Sequence, residues 1–283
     1  MKKATKILAL LMTLVLIAGA FAACGKKGPA VKVVNIDLTE EEYAFGVDKD
    51  QAELLTQVNA FIAEIKANGK FDEICNKYFA GGTPAVIQSA KYDESKDQLV
   101  VATNAAFEPF EYTNGDGYSG IDMEIAALLA EKLGKELVIQ NMDFDAVCLS
   151  VGQHKCDIAM AGLTVNEARK EYVNFSDSYY TASQRLVVSG DDTTFDACKT
   201  VEDVEAILNA KDKTTKIGVQ NGTTGQFYVQ GDEEWGFAGL PVECVGYKNG
   251  SMAVQDLMNG GVQYVIIDAA PADCITKALN EMN

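Results

Sequence analysis

The sequence has little positive charge relative to negative charge. Its 283 residues include 24 Lys and Arg against 41 Asp and Glu, for a formal net charge of −17. Five lysines are the only charged residues before residue 28, so the rest of the chain carries −22. This balance argues against nucleic-acid binding, which needs a basic surface. It suits a protein that has to stay free of an anionic cell envelope.

The residues that hold metals and cofactors are also scarce. Histidine occurs once, as His154 in a polar turn, and no two cysteines have the CxxC spacing. The segment 222–225 lacks the Gly-Lys-Ser/Thr of a phosphate loop, and the acidic segment 48–50 lacks the third acid and the glycine of a calcium loop. We therefore predict neither a metal nor a cofactor. The six cysteines after Cys24 permit disulfides, but most occupy positions suited to an apolar residue, so we expect mostly free, buried thiols.

Long apolar runs are confined to the beginning of the chain. Residues 1–23 contain three early lysines, the apolar run Ile7–Ala18 and small residues before Cys24. This segment resembles a bacterial lipoprotein signal, although Phe21 stands where leucine is usual. We expect Cys24 to be lipidated and to begin the mature protein, with an ordinary secretory signal as the alternative. No other run approaches the ~20 apolar residues of a spanning helix.

Beyond a short tether at 24–30, the pattern of apolar residues alternates between strands and helices. The predicted strands cover residues 31–36, 43–47, 99–103, 136–140, 156–161, 186–188, 216–219, 242–245 and 263–267. The predicted helices cover residues 51–67, 71–79, 120–133, 144–151, 201–208, 223–229, 251–258 and 270–279. Segment 80–97 is a predicted surface linker. Two sets of alternating elements predict two α/β lobes with parallel sheets and a ligand at the carboxyl ends of the strands.

The stretch 156–169 attracts attention because a cation follows a predicted strand and turn. Thr164 is a candidate N-cap, and Glu167 stands at capping-box spacing from it. Arg169 would then lie in the first turns of a helix, where the helix dipole disfavours a cation. A shared anion, such as a substrate carboxylate, would explain it. A solvated surface arginine is the alternative.

Three strand ends carry loops that together indicate a family. The segment 103–112 is followed by 120–126, and 156–169 is followed by Asn-Phe-Ser-Asp-Ser-Tyr-Tyr at 174–180. The third pairs 217–225 with a strand that ends at Asp268. In this order they resemble the type II extracellular solute-binding proteins, family 3, of polar amino-acid ABC transporters. The resemblance implies a periplasmic binding protein-like α/β fold with two Rossmann-like lobes joined by a two-strand hinge.

The resemblance also implies what the protein does. We expect it to capture a polar amino acid between its lobes and to deliver the ligand to a permease. It would lie on the extracellular or periplasmic face of the cell membrane, anchored by lipid on Cys24. A dehydratase-like enzyme on the same scaffold, with Glu108 as general acid, and an amino-acid sensor domain are alternatives. The enzyme is less favoured because no nucleophile–base pair and no cofactor motif is visible.

Residue roles follow from the same resemblance. Arg169 would clamp the ligand α-carboxylate, helped by Thr164 and by backbone N–H groups at Ala161 and Gly162. Asp268 would bind the α-ammonium, although a strand-end Asp before a helix also suits an N-cap.

The remaining predicted site residues surround the ligand from both lobes. Phe107 and Phe144 would sandwich its side chain, with plain packing as the alternative. Thr223 and Thr224 would reach the carboxylate from the second lobe, with helix capping as the alternative. The polar contacts predicted for the ligand side chain come from Asn104 and Gln220. Asn104 stands where cation-selective relatives often carry Asp, which favours an uncharged ligand, whereas Glu108 and Glu111 keep a basic one open.

The order of the segments departs from the family. Residues 33–79 resemble the segment that normally closes these proteins, yet here they precede the phenylalanine loop. We therefore predict a circular permutation in which 80–97 joins the old ends and new ends open between Asn283 and Val31. Residues 31–41 would supply a strand of lobe 2 and a hinge crossing, 42–182 would form lobe 1, and 183–283 would form lobe 2. A fragment that swaps its first piece with a neighbouring molecule is the alternative.

Overall fold

The computed structural model describes residues 30–282. The predicted signal segment, Cys24 and all but the last residue of the predicted tether lie outside these residues. Within the described range, no helix has the length and apolar character needed to cross a membrane.

One lobe is built on a mixed five-stranded sheet. In spatial order its strands are β10 (Val173–Phe175), β3 (Gly46–Asp48), β9 (Ile158–Ala159), β4 (Gln98–Thr103) and β8 (Glu136–Asn141). Strand β4 runs parallel to β8 and β9, whereas β3 runs antiparallel to β9 and β10. All of β4 is buried, and its alternate residues enter separate apolar clusters on the two faces of the sheet. A strand covered on both faces reads as a continuous apolar run.

The second lobe has its own mixed five-stranded sheet. In spatial order its strands are β1 (Val31–Val34), β12 (Gln184–Ser189), β15 (Tyr264–Asp268), β13 (Lys216–Gln220) and β14 (Glu243–Tyr247). Strand β13 runs parallel to β14 and β15, and β12 runs antiparallel to β1 and β15. The first strand of the described chain thus lies at the edge of the second lobe.

The chain passes between the lobes twice. The two passages pair as an antiparallel ribbon of β2 (Glu41–Tyr43) and β11 (Tyr180–Ala182), which we call the crossing ribbon. Strand β2 leads from the second lobe into the first, and β11 leads back. A further antiparallel sheet of β5 (Ala106–Phe107), β6 (Glu111–Asn114) and β7 (Gly117–Ser119) lies on the first lobe.

Helices cover both sheets, and most begin within two residues of the predicted position. In chain order they are α1 (Ala52–Ala67), α2 (Lys70–Phe79), α3 (Ile121–Leu133), α4 (Phe144–Gly152), α5 (Glu167–Lys170), α6 (Val201–Asn209), α7 (Thr224–Gln230), α8 (Gly250–Met258) and α9 (Ala269–Met282). Helix α1 buries Leu54, Val58, Phe61, Ile62 and Ile65, as its 3.6-residue period predicts. A capping box of Thr200 and Asp203 begins α6.

Three predictions about the strands were wrong. The sheets are mixed rather than parallel, because β3, β10, β1 and β12 add antiparallel edges that the strand–helix alternation does not reveal. The predicted strand 43–47 is two strands, because the chain leaves the crossing ribbon after Tyr43 and joins the first sheet at Gly46. The predicted strand 156–161 pairs only at Ile158–Ala159.

The segment 80–97 has no regular helix or strand, but it is fixed to the first lobe. The backbone N–H of Ala85 donates to Glu124, and that of Ala90 donates to the carbonyl of Leu137 at 2.8 Å. Ile87 forms an isolated bridge with Tyr118. These contacts hold the segment along the surface of the lobe.

The cysteines from Cys75 to Cys274 are unpaired thiols. Only Cys148 and Cys156 are buried, whereas the other four are partly exposed. The expectation of mostly buried thiols was therefore wrong for Cys75, Cys198, Cys244 and Cys274. The first three of these lie at the edges of the apolar clusters.

Candidate functional site

The predicted site residues gather at the carboxyl ends of strands in both lobes. Those in the first lobe follow β4, β8 and β9, and those in the second end or follow β13 and β15. Most are buried: Asn104, Phe107, Ala161, Gly162, Thr164, Gln220, Thr223, Thr224 and Asp268. Phe144 and Arg169 are partly exposed. This is the edge where α/β sheets commonly bind ligands.

The local structure around Arg169 differs from the prediction. Helix α5 is a single turn that begins after Asn166, whose side chain accepts a hydrogen bond of 2.8 Å from the Arg169 backbone. Thr164 is not the N-cap, and the predicted capping box with Glu167 is absent from this segment, because the Thr164 hydroxyl donates elsewhere. Arg169 lies in the last turn, where the dipole favours a cation. Arg169 therefore needs no anion to offset the helix dipole, and the prediction that rested on the dipole was wrong.

The Arg169 guanidinium bridges the two lobes. Its Nη1 donates to the Thr164 carbonyl at 2.6 Å, and its Nη2 donates to the Gly222 carbonyl of the second lobe at 3.0 Å. Its carbon lies 5.1 Å from the centroid of the Phe144 ring, a cation–π distance. A guanidinium has five N–H donors, so these two bonds leave donors for an anionic group.

Thr164 is the point where several elements meet. Its hydroxyl donates to Glu41 at 2.8 Å and lies 3.5 Å from the Thr224 hydroxyl of the second lobe. Its backbone forms an isolated antiparallel bridge with Tyr43. The predicted pair Thr164 and Thr224 is therefore brought together across the lobes.

Asp268 ends β15 beneath the crossing ribbon. The Tyr43 hydroxyl donates a hydrogen bond to its carboxylate. Burial raises the pKa of Asp268 and the charge of Glu41 raises it further, while hydrogen bonds from Tyr43 and Gln184 act in the opposite direction. Asp268 is thus a buried acid whose charge depends on its immediate neighbours.

Three other predicted site residues contact residues of their own lobe. The Thr223 hydroxyl donates to the Gln220 carbonyl at 2.9 Å. The Gly162 N–H, predicted to face a ligand carboxylate, donates to Asp122 at 3.0 Å. Phe107 stacks on Phe110 with ring centroids 5.9 Å apart. These residues shape the site through packing and internal hydrogen bonds.

Asn104 has one side-chain bond and one free acceptor. Its Nδ2 donates to the Met142 carbonyl at 2.7 Å, which fixes the orientation of the amide. Its Oδ1 is buried without a hydrogen-bond partner among the described residues. The amide oxygen is available to a donor.

Sequence reasoning missed a cluster of buried acids beside these residues. Glu41 accepts hydrogen bonds from Thr39, Thr164 and Gln184. Burial raises the pKa of Asp122 to about 7, although hydrogen bonds from Gly162 and Tyr179 lower it.

Glu111, which the sequence offered only as an acid compatible with a basic ligand, is fully buried. Burial, together with the charges of Asp122 and Asp268, raises its pKa well above the usual range for a glutamate. The available signal for such residues was an acid at an inward-facing position of a strand or helix.

Comparisons with known proteins agree with this arrangement. Residues 99–277 match the family model of bacterial extracellular solute-binding proteins, family 3. The arginine-binding extracellular protein ArtP of Bacillus subtilis is 34% identical over 46% of this chain and 47% of its own length. The histidine-binding periplasmic protein of Escherichia coli K12 is 28% identical over 65% of each chain.

A solved structure supports the same fold. The crystal structure of the ancestral amino acid-binding protein AncCDT-1, a precursor of cyclohexadienyl dehydratase, superposes with a TM-score of 0.55 at 30% identity. The superposition covers 64% of this chain and 75% of that one. The predicted fold, two α/β lobes of the type II periplasmic binding protein kind joined by two crossing strands, is confirmed.

The match is partial along the sequence. The chain spans less than two thirds of the length of either curated relative. The family match begins at β4 and ends within α9, and it leaves out β1, β2, β3, α1 and α2. It nevertheless includes Arg169 and Asp268 and covers more than half of the chain. This protein therefore belongs to the bacterial extracellular solute-binding proteins, family 3.

Proposed function

We propose that this protein captures an amino acid between its two lobes and delivers it to the permease of an ABC transporter. One observation carries the proposal. A guanidinium and a buried carboxylate, Arg169 and Asp268, come from different lobes and are linked through Thr164 and Tyr43. Arg169 would bind the α-carboxylate of the ligand, and Asp268 would bind its α-ammonium.

Binding would favour closure because the two charged ends of one ligand engage different lobes. Two contacts across the cleft already involve helix α5. Arg169 donates to the Gly222 carbonyl, and the backbone N–H of Glu167 donates to Glu234 at 2.6 Å. A ligand carboxylate at Arg169 would add to this junction.

The ligand class that we propose is the basic amino acids, with arginine as the first candidate. Asn104 Oδ1, Gln184 Oε1 and both carboxylate oxygens of Glu111 are buried without a hydrogen-bond partner among the described residues. The two amide oxygens are acceptors and favour a ligand rich in N–H donors, and the Glu111 oxygens accept once that acid is ionised. A ligand cation beside Glu111 and Asp122 would lower the raised pKa of each acid and pair with the ionised carboxylates. The curated relatives named for arginine and histidine binding support capture rather than turnover.

A thermal-shift screen over the twenty amino acids tests the proposal. A ligand at 100 times its Kd adds about 2.7 kcal/mol to the free energy of unfolding. We expect L-arginine or L-lysine to raise Tm, and D-arginine serves as the matched control because its ammonium and carboxylate exchange places. If none of the twenty amino acids raised Tm, the proposal would be overturned.

We also propose that the chain is a circular permutant of its family. Three observations support this. Residues before the family match nevertheless supply β3 within the first sheet and β1 at the edge of the second. Segment 80–97 joins α2 to β4 along the surface. The backbone N–H of Ala30 donates to Asn280 in α9 at 2.8 Å, so the two ends of the described chain lie together.

Native mass spectrometry with small-angle scattering separates permutation from swapping. Permutation predicts a monomer at every concentration, because all strand pairings form within one chain. An obligate dimer that dissociates only on unfolding would support swapping instead.

The position at the membrane is the last part of the proposal. Lipid on Cys24 would hold the protein near its permease, as the lipoprotein-like segment at 1–23 suggests. Expression of the full chain and of Cys24→Ser in a bacterial host tests it. The wild type should sediment with membranes and the variant should not, and equal partition would contradict the anchor.

A further inference from the structure

Strand β2 of the crossing ribbon has two inward side chains. Its burial alternates, with Glu41 and Tyr43 buried and Glu42 exposed. Alternation is expected of a strand covered on one face. The unusual feature is that one of the two buried residues is a carboxylate, since an apolar side chain would fill the same space without a desolvation cost.

Each inward side chain holds a different part of the amino-acid site. Glu41 accepts hydrogen bonds from the Thr164 hydroxyl at 2.8 Å and from the Gln184 amide at 3.0 Å. These donors belong to the first lobe and the second lobe respectively. Tyr43 donates its hydroxyl to the carboxylate of Asp268.

Backbone hydrogen bonds also join β2, and Ala44 directly after it, to the segment around Thr164 and to Tyr179. The Tyr43 carbonyl accepts from Tyr179, and the Ala44 N–H donates to the Leu163 carbonyl at 3.0 Å. The Val165 N–H donates to the Glu42 carbonyl at 3.1 Å. A movement of this strand when the lobes rotate therefore moves the segment that carries Thr164.

We propose that Glu41 and Tyr43 are positioning residues, which hold the Thr164 hydroxyl and the Asp268 carboxylate in register from one crossing strand. The inference rests on the proposed function, because it concerns the same two ligand-binding groups. It assigns the crossing strand a role in preparing the site besides joining the lobes.

Tyr43 and Glu41 shift the pKa of Asp268 in opposite directions. The hydrogen bond from Tyr43 stabilises the ionised carboxylate and lowers the pKa of Asp268, whereas the negative charge of Glu41 raises it. The pKa of Tyr43 is raised well above its ordinary value by burial and by the Asp268 and Glu41 charges, so its phenol stays a donor. The other groups facing Asp268 are Gln184 of β12 and Glu111 of β6.

These opposite pKa shifts provide a test, because a purely structural role of Tyr43 and Glu41 would not move the pH dependence of binding in opposite directions. The affinity for L-arginine is measured by calorimetry from pH 5 to 9 in wild type, Tyr43→Phe, Glu41→Gln and the control Tyr180→Phe. Tyr180 lies on β11 of the same ribbon and is half-buried. Below the pKa of Asp268 the protonated acid cannot pair with an ammonium, so affinity should fall on the acid side.

We expect Tyr43→Phe to move that fall to higher pH by roughly one unit and Glu41→Gln to move it to lower pH. Tyr180→Phe should leave the pH profile of the wild type unchanged. Identical profiles in all four proteins, with binding intact, would overturn the inference while leaving the proposed function in place.

If the wild type binds no arginine, that result counts against the proposed function and not against this inference. The inference can then be tested without ligand, from the dependence of Tm on pH. A raised pKa in the folded state means that stability is lost as pH rises from the unfolded pKa to the folded one. The loss of Tm should therefore extend to higher pH in Tyr43→Phe and end at lower pH in Glu41→Gln. Parallel Tm curves would again overturn the inference.

Discussion

The hydroxyl of Tyr43, on the strand that crosses between the lobes, donates a hydrogen bond to the carboxylate of Asp268 at the end of β15. This contact places the acid proposed for the ligand ammonium beneath the crossing ribbon. Both side chains are buried, with exposed fractions of 0% and 5%. The state of Asp268 therefore depends on the crossing strand as much as on its own lobe.

Asp268→Asn should weaken amino-acid binding by about 100-fold at pH 8, because the lost charge-assisted hydrogen bond contributes roughly 3 kcal/mol. It should also remove the part of the acid-side fall in affinity that comes from this acid. Calorimetry with L-arginine at pH 5.5 and pH 8 measures both effects. Asp273→Asn, at an exposed acid of the following helix, is the matched control. Wild-type affinity in Asp268→Asn would contradict the role of this acid.

The ion pair between His154 and Asp48 should make stability depend on pH. The Nδ1 atom of His154 lies 2.8 Å from Asp48, and this hydrogen bond and charge raise the pKa of the imidazole. The stabilisation should be fully present below the unfolded pKa of about 6.5 and be lost as pH rises through the folded pKa.

His154→Asn tests this, because asparagine tolerates the left-handed backbone that His154 adopts at φ 58°. The Tm difference between wild type and variant should be largest near pH 5.5 and shrink by pH 8. Gln153→Ala, in the same exposed turn, should show a pH-independent difference. A constant difference in His154→Asn would rule out the titrating pair.

Gly162→Ala should damage both stability and binding. Gly162 has φ 53°, and a Cβ there would lie 2.8 Å from Cε1 of the Phe107 ring. Gly69 also has a left-handed backbone but open space around it, so Gly69→Ala should cost only the ~1–2 kcal/mol of the backbone conformation.

The comparison isolates the steric contact at the site. Denaturant unfolding should show a larger loss for Gly162→Ala than for Gly69→Ala, and only Gly162→Ala should weaken arginine binding. Equal losses of stability in the two variants, with unchanged arginine binding, would mean that the Phe107 ring moves away from the added Cβ without cost.

Regular elements with strong apolar periods could be predicted from the sequence. Helix α1 and the buried strand β4 are examples, because their patterns depend on local burial alone. The break between β2 and β3 could not be predicted, since it depends on pairing with β11 and β10, far along the chain.

Part of the candidate site was equally inaccessible from the sequence. Glu41 stands in a run of three glutamates, which is typical of a solvated surface, and only its tertiary contacts with Thr164 and Gln184 distinguish it. Thr164 and Asn166 are both good capping residues, and the spacing of Thr164 from Glu167 favoured Thr164 as the N-cap of α5. The choice was decided by Glu41, which accepts the Thr164 hydroxyl.

The most direct test of amino-acid capture is a calorimetric titration of Arg169→Ala with L-arginine beside the control Lys170→Ala. Both residues lie on the single turn of α5, but only the Arg169 guanidinium reaches the second lobe. We predict that Arg169→Ala lowers the affinity about 100-fold or more, equivalent to roughly 3 kcal/mol, while Lys170→Ala binds as the wild type does. An unchanged Kd in Arg169→Ala would contradict the account.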